Sequence, residues 1–80
     1  MATDRCWHEA VIAATDTQLR DALHVQADVN VVVTCATCGT PCRVWLYYDE
    51  ATTPVLLVKE DVPGGAMDYY RWTGTEWWED

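Results

Sequence analysis

Cys35, Cys38 and Cys42 fall inside the eight residues "CATCGTPC". Their spacing is Cys-x2-Cys-x3-Cys, and the remaining cysteine, Cys6, stands far upstream with His8 two residues on. Thiolates and imidazoles grouped in this way bind a transition metal, and a closed structural site takes four N or S ligands in a tetrahedron. The four cysteines of the chain match that number. The expected ligands are therefore Cys6, Cys35, Cys38 and Cys42, with His8 as the alternative fourth ligand and His24 behind both. Four thiolates leave no position open for water, so the expected role of the ion is structural. Two other states compete: ordinary reduced cysteines, and redox chemistry at Cys35 and Cys38. Against redox, the Cys-x2-Cys pair does not open a helix after a strand, as a thioredoxin-like site requires.

The elements that must position these residues form an α+β pattern. The β-branched "VNVVVTC" predicts a strand over 29–35, and "RVWLYYD" predicts its partner over 43–49. The three cysteines then occupy a hairpin tip. Gly39 follows the second cysteine, where a tight turn wants positive φ. "VLLVKE" predicts a third strand over 55–60, central or well covered because its apolar run is unbroken. "YYRWTGTEWW" predicts a hairpin with a two-residue turn at Thr73 and Gly74, setting Arg71 opposite Glu76 and Tyr70 opposite Trp77. A three-residue loop is the alternative. Thr15 with Gln18 is a capping-box pattern, predicting a helix from Asp16 to about Val25. Residues 4–14 fit helix and strand equally. Their conformation decides whether Cys6 and His8 share a face.

The hairpin "CATCGTPC" resembles the zinc ribbon or zinc knuckle, above all at Cys35, Cys38 and Gly39. The resemblance covers residues 29–49, about a quarter of the chain. It implies structural Zn2+ at the tip, with backbone N–H groups pointing at the thiolates. The chain departs from the ribbon pattern in lacking a second Cys-x2-Cys pair. A structural zinc contributes roughly 10–16 kcal/mol of apparent folding free energy, large beside the roughly 5–15 kcal/mol net stability of ordinary domains. Residues 1–80 make one small domain, so such a staple has an obvious use.

Thirteen acids face five bases, for a formal net charge of −8. Such a surface repels phosphates and anionic membranes, which argues against direct nucleic-acid or membrane partners. It favours a protein partner with a basic surface, and DNA mimicry is a special case. A local basic patch of Arg5, Arg43 and Arg71 is the exception to weigh. The start "MATDRCWHEA" lacks the basic-then-apolar pattern of a signal peptide, so the expected location is the cytoplasm, or the host cytoplasm if a phage encodes the chain. The abundance of Ala, Val, Thr, Asp and Trp resembles small orphan genes of GC-rich genomes, such as actinobacteria and their bacteriophages. "RWTGTEWW" likewise resembles W-x-G-x-x-W hairpins of phage tail and fibre modules.

No catalytic constellation stands out, and neither histidine has a nucleophile beside it in the sequence. The chain is expected not to be an enzyme. Trp7 and Trp45 can be core residues. Trp77 and Trp78 must face opposite sides of a strand, and so must Tyr47 and Tyr48, and Tyr69 and Tyr70. The expected partner-binding residues are Trp72, Trp77, Trp78, Glu76, Glu79 and Asp80, aromatic anchors among acids. The leading expectation is a non-catalytic, zinc-stabilised interaction module, of the kind a phage uses to modulate or inhibit a host protein. A virion or carbohydrate-contacting module using the C-terminal hairpin is the second class, and a thiol redox protein the third. A homodimer through the tryptophan hairpin is open.

Overall fold

The computed structural model describes residues 8–50 and 53–79. Cys6, Trp7, Arg5 and Asp80, named above as ligand, core, basic-patch and surface candidates, lie outside them. One helix, α1 (Glu9–Val25), precedes five strands: β1 (Val29–Thr34), β2 (Pro41–Asp49), β3 (Thr53–Glu60), β4 (Met67–Trp72) and β5 (Trp77–Glu79). The strands form one antiparallel sheet in the order β1-β2-β3-β4-β5. The fold is thus α+β, with sequential strands always adjacent.

The first segment resolves as helix from Glu9. Val11, Thr15, Leu19 and Ala22 are its buried residues, spaced to give one stripe. The capping box expected at Thr15 does not form, because Thr15 lies well inside the helix. Its hydroxyl donates to the carbonyls of Val11 at 2.9 Å and Ile12 at 3.2 Å. This back-bonding lets a polar side chain be buried without an unmet hydrogen bond. Gln26, in the left-handed conformation, ends the helix by donating its N–H to the Ala22 carbonyl.

Strand parity sorts the sheet into two faces. The inner face carries Val29, Cys42, Val44, Leu46, Leu56, Val58 and Tyr70, which pack with Val11 and Leu19. The unbroken run in β3 does mark the central strand, with Leu56, Leu57 and Val58 all buried. The outer face has no helix over it among the described residues. Trp45, a core candidate by sequence, lies there between inward Val44 and Leu46 and is 39% exposed. The adjacent aromatic pairs split as expected. Tyr48 points inward and donates to the Ala22 carbonyl, while Tyr69 and Trp78 are exposed on the outer face.

The last hairpin differs from expectation. Trp72 faces Trp77, Arg71 faces Trp78 and Tyr70 faces Glu79 across a four-residue loop, 73–76. Thr73 causes the shift. Its Oγ1 accepts from the N–H groups of Thr75 at 3.4 Å and Glu76 at 3.1 Å, and its own N–H donates to the Glu76 carbonyl. This local hydroxyl turn outcompetes the two-residue turn. The loop is tied to α1 by Arg20, which donates to the Thr75 carbonyl at 2.8 Å, grips Asp16 and lies 5.2 Å over the Trp72 ring.

Leu19 is fully buried between helix and sheet. Leu19→Ala is expected to lower the unfolding free energy by about 2–5 kcal/mol. Met67→Ala, on the exposed outer face, is expected to change it by about 0.5 kcal/mol or less. Urea unfolding of both variants checks the assignment of faces, and equal losses would contradict it.

Candidate metal centre

The β1–β2 connection folds tightly because its backbone closes on itself. Cys35 donates its N–H to the Thr40 carbonyl at 2.8 Å, and Gly39 returns a bond to the Cys35 carbonyl at 2.8 Å. Gly39 has φ 76°, the left-handed turn expected of it. The Cys35 thiol points inward and is 1% exposed, whereas Cys38 is exposed. Backbone N–H groups of Thr37 and Cys38 are directed at the Cys35 sulfur.

His8 completes the group. It stands at the N-cap of α1 with φ 56° and ψ 30°, a left-handed conformation, and makes no side-chain cap. A Ser or Asp there would stabilise the helix by about 1 kcal/mol. The imidazole is used otherwise. The donor atoms of His8, Cys35 and Cys38 all lie within 4.8 Å of one another, close enough to bind one metal ion. His8 Nδ1 is 3.6 Å from Cys38 Sγ. Metal bonds of about 2.0–2.1 Å to nitrogen and about 2.3 Å to sulfur, at a tetrahedral angle, separate the two ligands by about 3.6 Å. The His8–Cys38 spacing therefore matches that of two ligands sharing one ion.

The other ring nitrogen meets a carboxylate. His8 Nε2 is 2.9 Å from Glu60 Oε2, and Glu60 Oε1 accepts the Ala66 N–H at 2.9 Å. A carboxylate on the far nitrogen fixes the tautomer that presents Nδ1 as a lone-pair donor, the usual support for a metal-bound histidine. Gly65 is fitted to this contact. A Cβ on it would stand 2.5 Å from the Glu60 carbonyl oxygen and 2.7 Å from the Glu60 Cβ. Residue type and spacing in the sequence single out neither Glu60 nor Gly65. The available signal was weak: a glutamate ending a strand, followed by a glycine loop.

The remaining candidates are placed differently. His8, ranked below Cys6 in the sequence reading, belongs to the group of three, and His24 does not. The strand β2 begins at Pro41, so Cys42 is a strand residue and not part of the loop. Cys42 is fully buried in the core, and its thiol donates to the Thr40 carbonyl at 3.5 Å. It is not among the three residues whose donor atoms converge.

Electrostatics favour the thiolate. The Cys35 thiol is lowered to about 6, first by its hydrogen bond with His8, then by the backbone N–H groups of Cys38 and Thr37, against the opposing effect of burial. Burial by itself would lower His8, but the bonds to Cys35 and Glu60 and the charges of Cys38 and Cys35 outweigh it and raise the net value.

A second feature lies between α1 and the last hairpin. A groove of about 650 Å³ is lined by Ile12, Tyr70, Trp77 and the carboxylates of Glu9, Asp16, Glu76 and Glu79, with Arg20 the one base. The Trp77 Nε1 is buried with no hydrogen-bond acceptor. Trp72 and Trp77 meet with ring centroids 4.9 Å apart at a tilt of 54°, and Trp78, which also borders the groove, donates to Glu76 at 2.6 Å. Of the expected partner-binding residues, Glu76, Trp77, Trp78 and Glu79 line this groove and Trp72 does not.

No protein-family model matches this chain, and neither a curated protein nor a solved structure matches it. No helix among the described residues is long and apolar enough to cross a membrane.

Two outcomes follow for this centre. In metal-free protein the stability linked to the lowered Cys35 is fully present above the ordinary thiol value near 9 and is lost as pH falls through about 6. The part linked to the raised His8 has the opposite sign, present below 6.5 and lost as pH rises through its folded value. Thiolate absorbance at 240 nm should therefore rise near pH 6 and move upward in His8→Ala; a midpoint near 9 in the wild type would contradict the assignment. Glu60→Ala and Gly65→Ala should each weaken metal binding by about 10–100-fold, read by competition with a chromophoric chelator. Unchanged affinity in both would remove the supporting role of Glu60.

Proposed function

We propose that this chain is a non-catalytic interaction module, held together by a structural Zn2+ and offering an acidic groove to a basic segment of a partner protein. The observation that carries the metal half is the convergence of His8, Cys35 and Cys38 with Glu60 on the far side of the imidazole. Sulfur and imidazole donors suit Zn2+ over the hard oxygen-seeking cations. Cys6 supplies the fourth ligand and closes the site. With no open position, the ion does no chemistry and serves as a staple between helix, hairpin tip and sheet. This is the zinc-knuckle reading, with a histidine in place of one thiol.

The interaction half rests on the groove, where four carboxylates surround an apolar floor. A lysine- or arginine-rich amphipathic segment complements that lining in both charge and polarity. A host protein with such a segment, bound by a phage-type modulator, is the fullest form of this reading.

The lowered Cys35 thiol also favours a second reading, a thiol redox protein, because a reactive cysteine needs a thiolate near neutral pH. The two readings part on metal. Native mass spectrometry should find one zinc per chain, removed by chelator together with loss of cooperative unfolding, and Cys6→Ser should lose it. Metal-free, fully folded protein that forms a reversible Cys35–Cys38 disulfide would overturn the zinc reading in favour of redox. For the groove, an arginine-rich amphipathic peptide should shift tryptophan fluorescence saturably, less so at high salt and in Glu76→Lys. An unchanged spectrum would rule the groove out.

A further inference from the structure

The two edges of the sheet are unequal. The β5 edge is three residues long, "WWE", and follows Glu76. The β1 edge is six residues, "VNVVVT", with no charge and no proline. Natural edges are usually blunted by charge, proline, bulges or shortness, because an open edge templates another strand. β1 has none of these devices, and five of its six residues are β-branched.

The direction of its free backbone groups follows from the hairpin. Cys35 and Thr40 face each other and are joined by Cys35 N–H to Thr40 O, and the same register pairs Val33 with Cys42, Val31 with Val44 and Val29 with Leu46. Antiparallel pairs alternate between bonded and non-bonded. The odd-numbered residues of β1 therefore bond to β2. The N–H and C=O groups of Asn30, Val32 and Thr34 point away from the sheet, and no strand among the described residues pairs with them.

We propose that β1 is a homodimer interface, pairing antiparallel with β1 of a second copy about a two-fold axis normal to the sheet. Opposed residues must share a face, so the axis passes beside a residue and not between two. The outward groups place that residue at Val32, the middle of the three. Val32 then faces Val32 of the partner subunit, Asn30 faces Thr34 and Thr34 faces Asn30, each pair exchanging two hydrogen bonds. The result is a continuous ten-stranded sheet.

A second copy is the occupant the edge fits. Its sequence is uncharged, so it carries no like-charge conflict with itself, even though each chain has a net charge of −8. Arg43, the nearest cation on the outer face, sits on β2 and is held by Asn30 Oδ1 at 2.6 Å. Its equivalent across the axis is three strands away, roughly 14 Å, beyond the roughly 8 Å over which salt leaves charges visible. Val32, 46% exposed, gains cover on the axis. The helix adds to the contact. α1 packs mainly on β1 and β2, so the axis brings the two helices side by side. The side of α1 away from the groove carries Ala14, Gln18, Val25, which is 73% exposed, and Asp21, whose repulsion of its own copy offsets part of that added cover. One short strand and one helix edge make a small interface, so the expected affinity is micromolar.

Sedimentation equilibrium of the metal-loaded protein from about 5 to 500 µM tests this. The wild type should move from monomer to dimer over that range. Val32→Lys and Val32→Glu should each weaken the dimer at least tenfold, because identical charges then meet on the axis. An equimolar mixture of the two should recover dimer, as a heterodimer visible by native mass spectrometry. Position 32 is solvent-facing, and unchanged circular dichroism with one metal per chain excludes misfolding. A wild type that stays monomeric throughout overturns the proposal, including the case where residues 1–7 cover the edge in the same chain. Dimerisation untouched by the variants points to another surface and overturns it equally. Weakened variants that fail to rescue each other overturn the register at Val32.

Discussion

One imidazole joins three parts of this chain. The His8 backbone starts the helix, its Nδ1 faces the thiols at the tip of the first hairpin, and its Nε2 meets Glu60 at the end of the central strand. Those parts are far apart in sequence, so the ring is where helix, loop and sheet agree on position. The cost is visible locally. The helix forgoes a side-chain cap, and a non-glycine residue adopts a left-handed backbone. A local rule broken beside converging metal donors is where function is expected to override propensity.

Charge is sorted as well as abundant. Strand parity puts Arg43, Lys59 and Arg71 on the outer face with a single carboxylate, Asp49, among the described residues of the strands. Val32, Trp45, Met67, Tyr69 and Trp78 are exposed on that same face. The groove on the inner side has the reverse character. A net charge of −8 is therefore a sum over two unlike surfaces. The negative charge that the sum reports is concentrated on the groove side more than on the sheet.

Much of the fold was legible. The β-branched runs and the apolar stretch in β3 gave three strands nearly at their observed bounds, since alternation and burial act on the strand itself. The helix start was not legible, because Thr15 and Gln18 imitate a cap and only tertiary packing shows that Thr15 is buried. The last hairpin was misread by residues because a threonine hydroxyl, not the glycine, sets its turn. At the candidate site, Cys35, Cys38 and Gly39 were legible from spacing. His8 was visible only as an alternative, since its reach depends on the helix start. Glu60 and Gly65 were invisible, because their roles arise from contacts across the fold.

The order of elements has a consequence for synthesis. The helix is made first, and the strands that cover its stripe of Val11, Leu19 and Ala22 come later. At roughly 5–20 residues per second, that stripe waits on the order of 2–10 s for β4 to emerge from the ribosome. The meander itself can zip strand by strand as it appears, each neighbour already in place. Until then the apolar stripe of the newborn helix has no sheet to pack on, and docking is the event that ends its exposure to water.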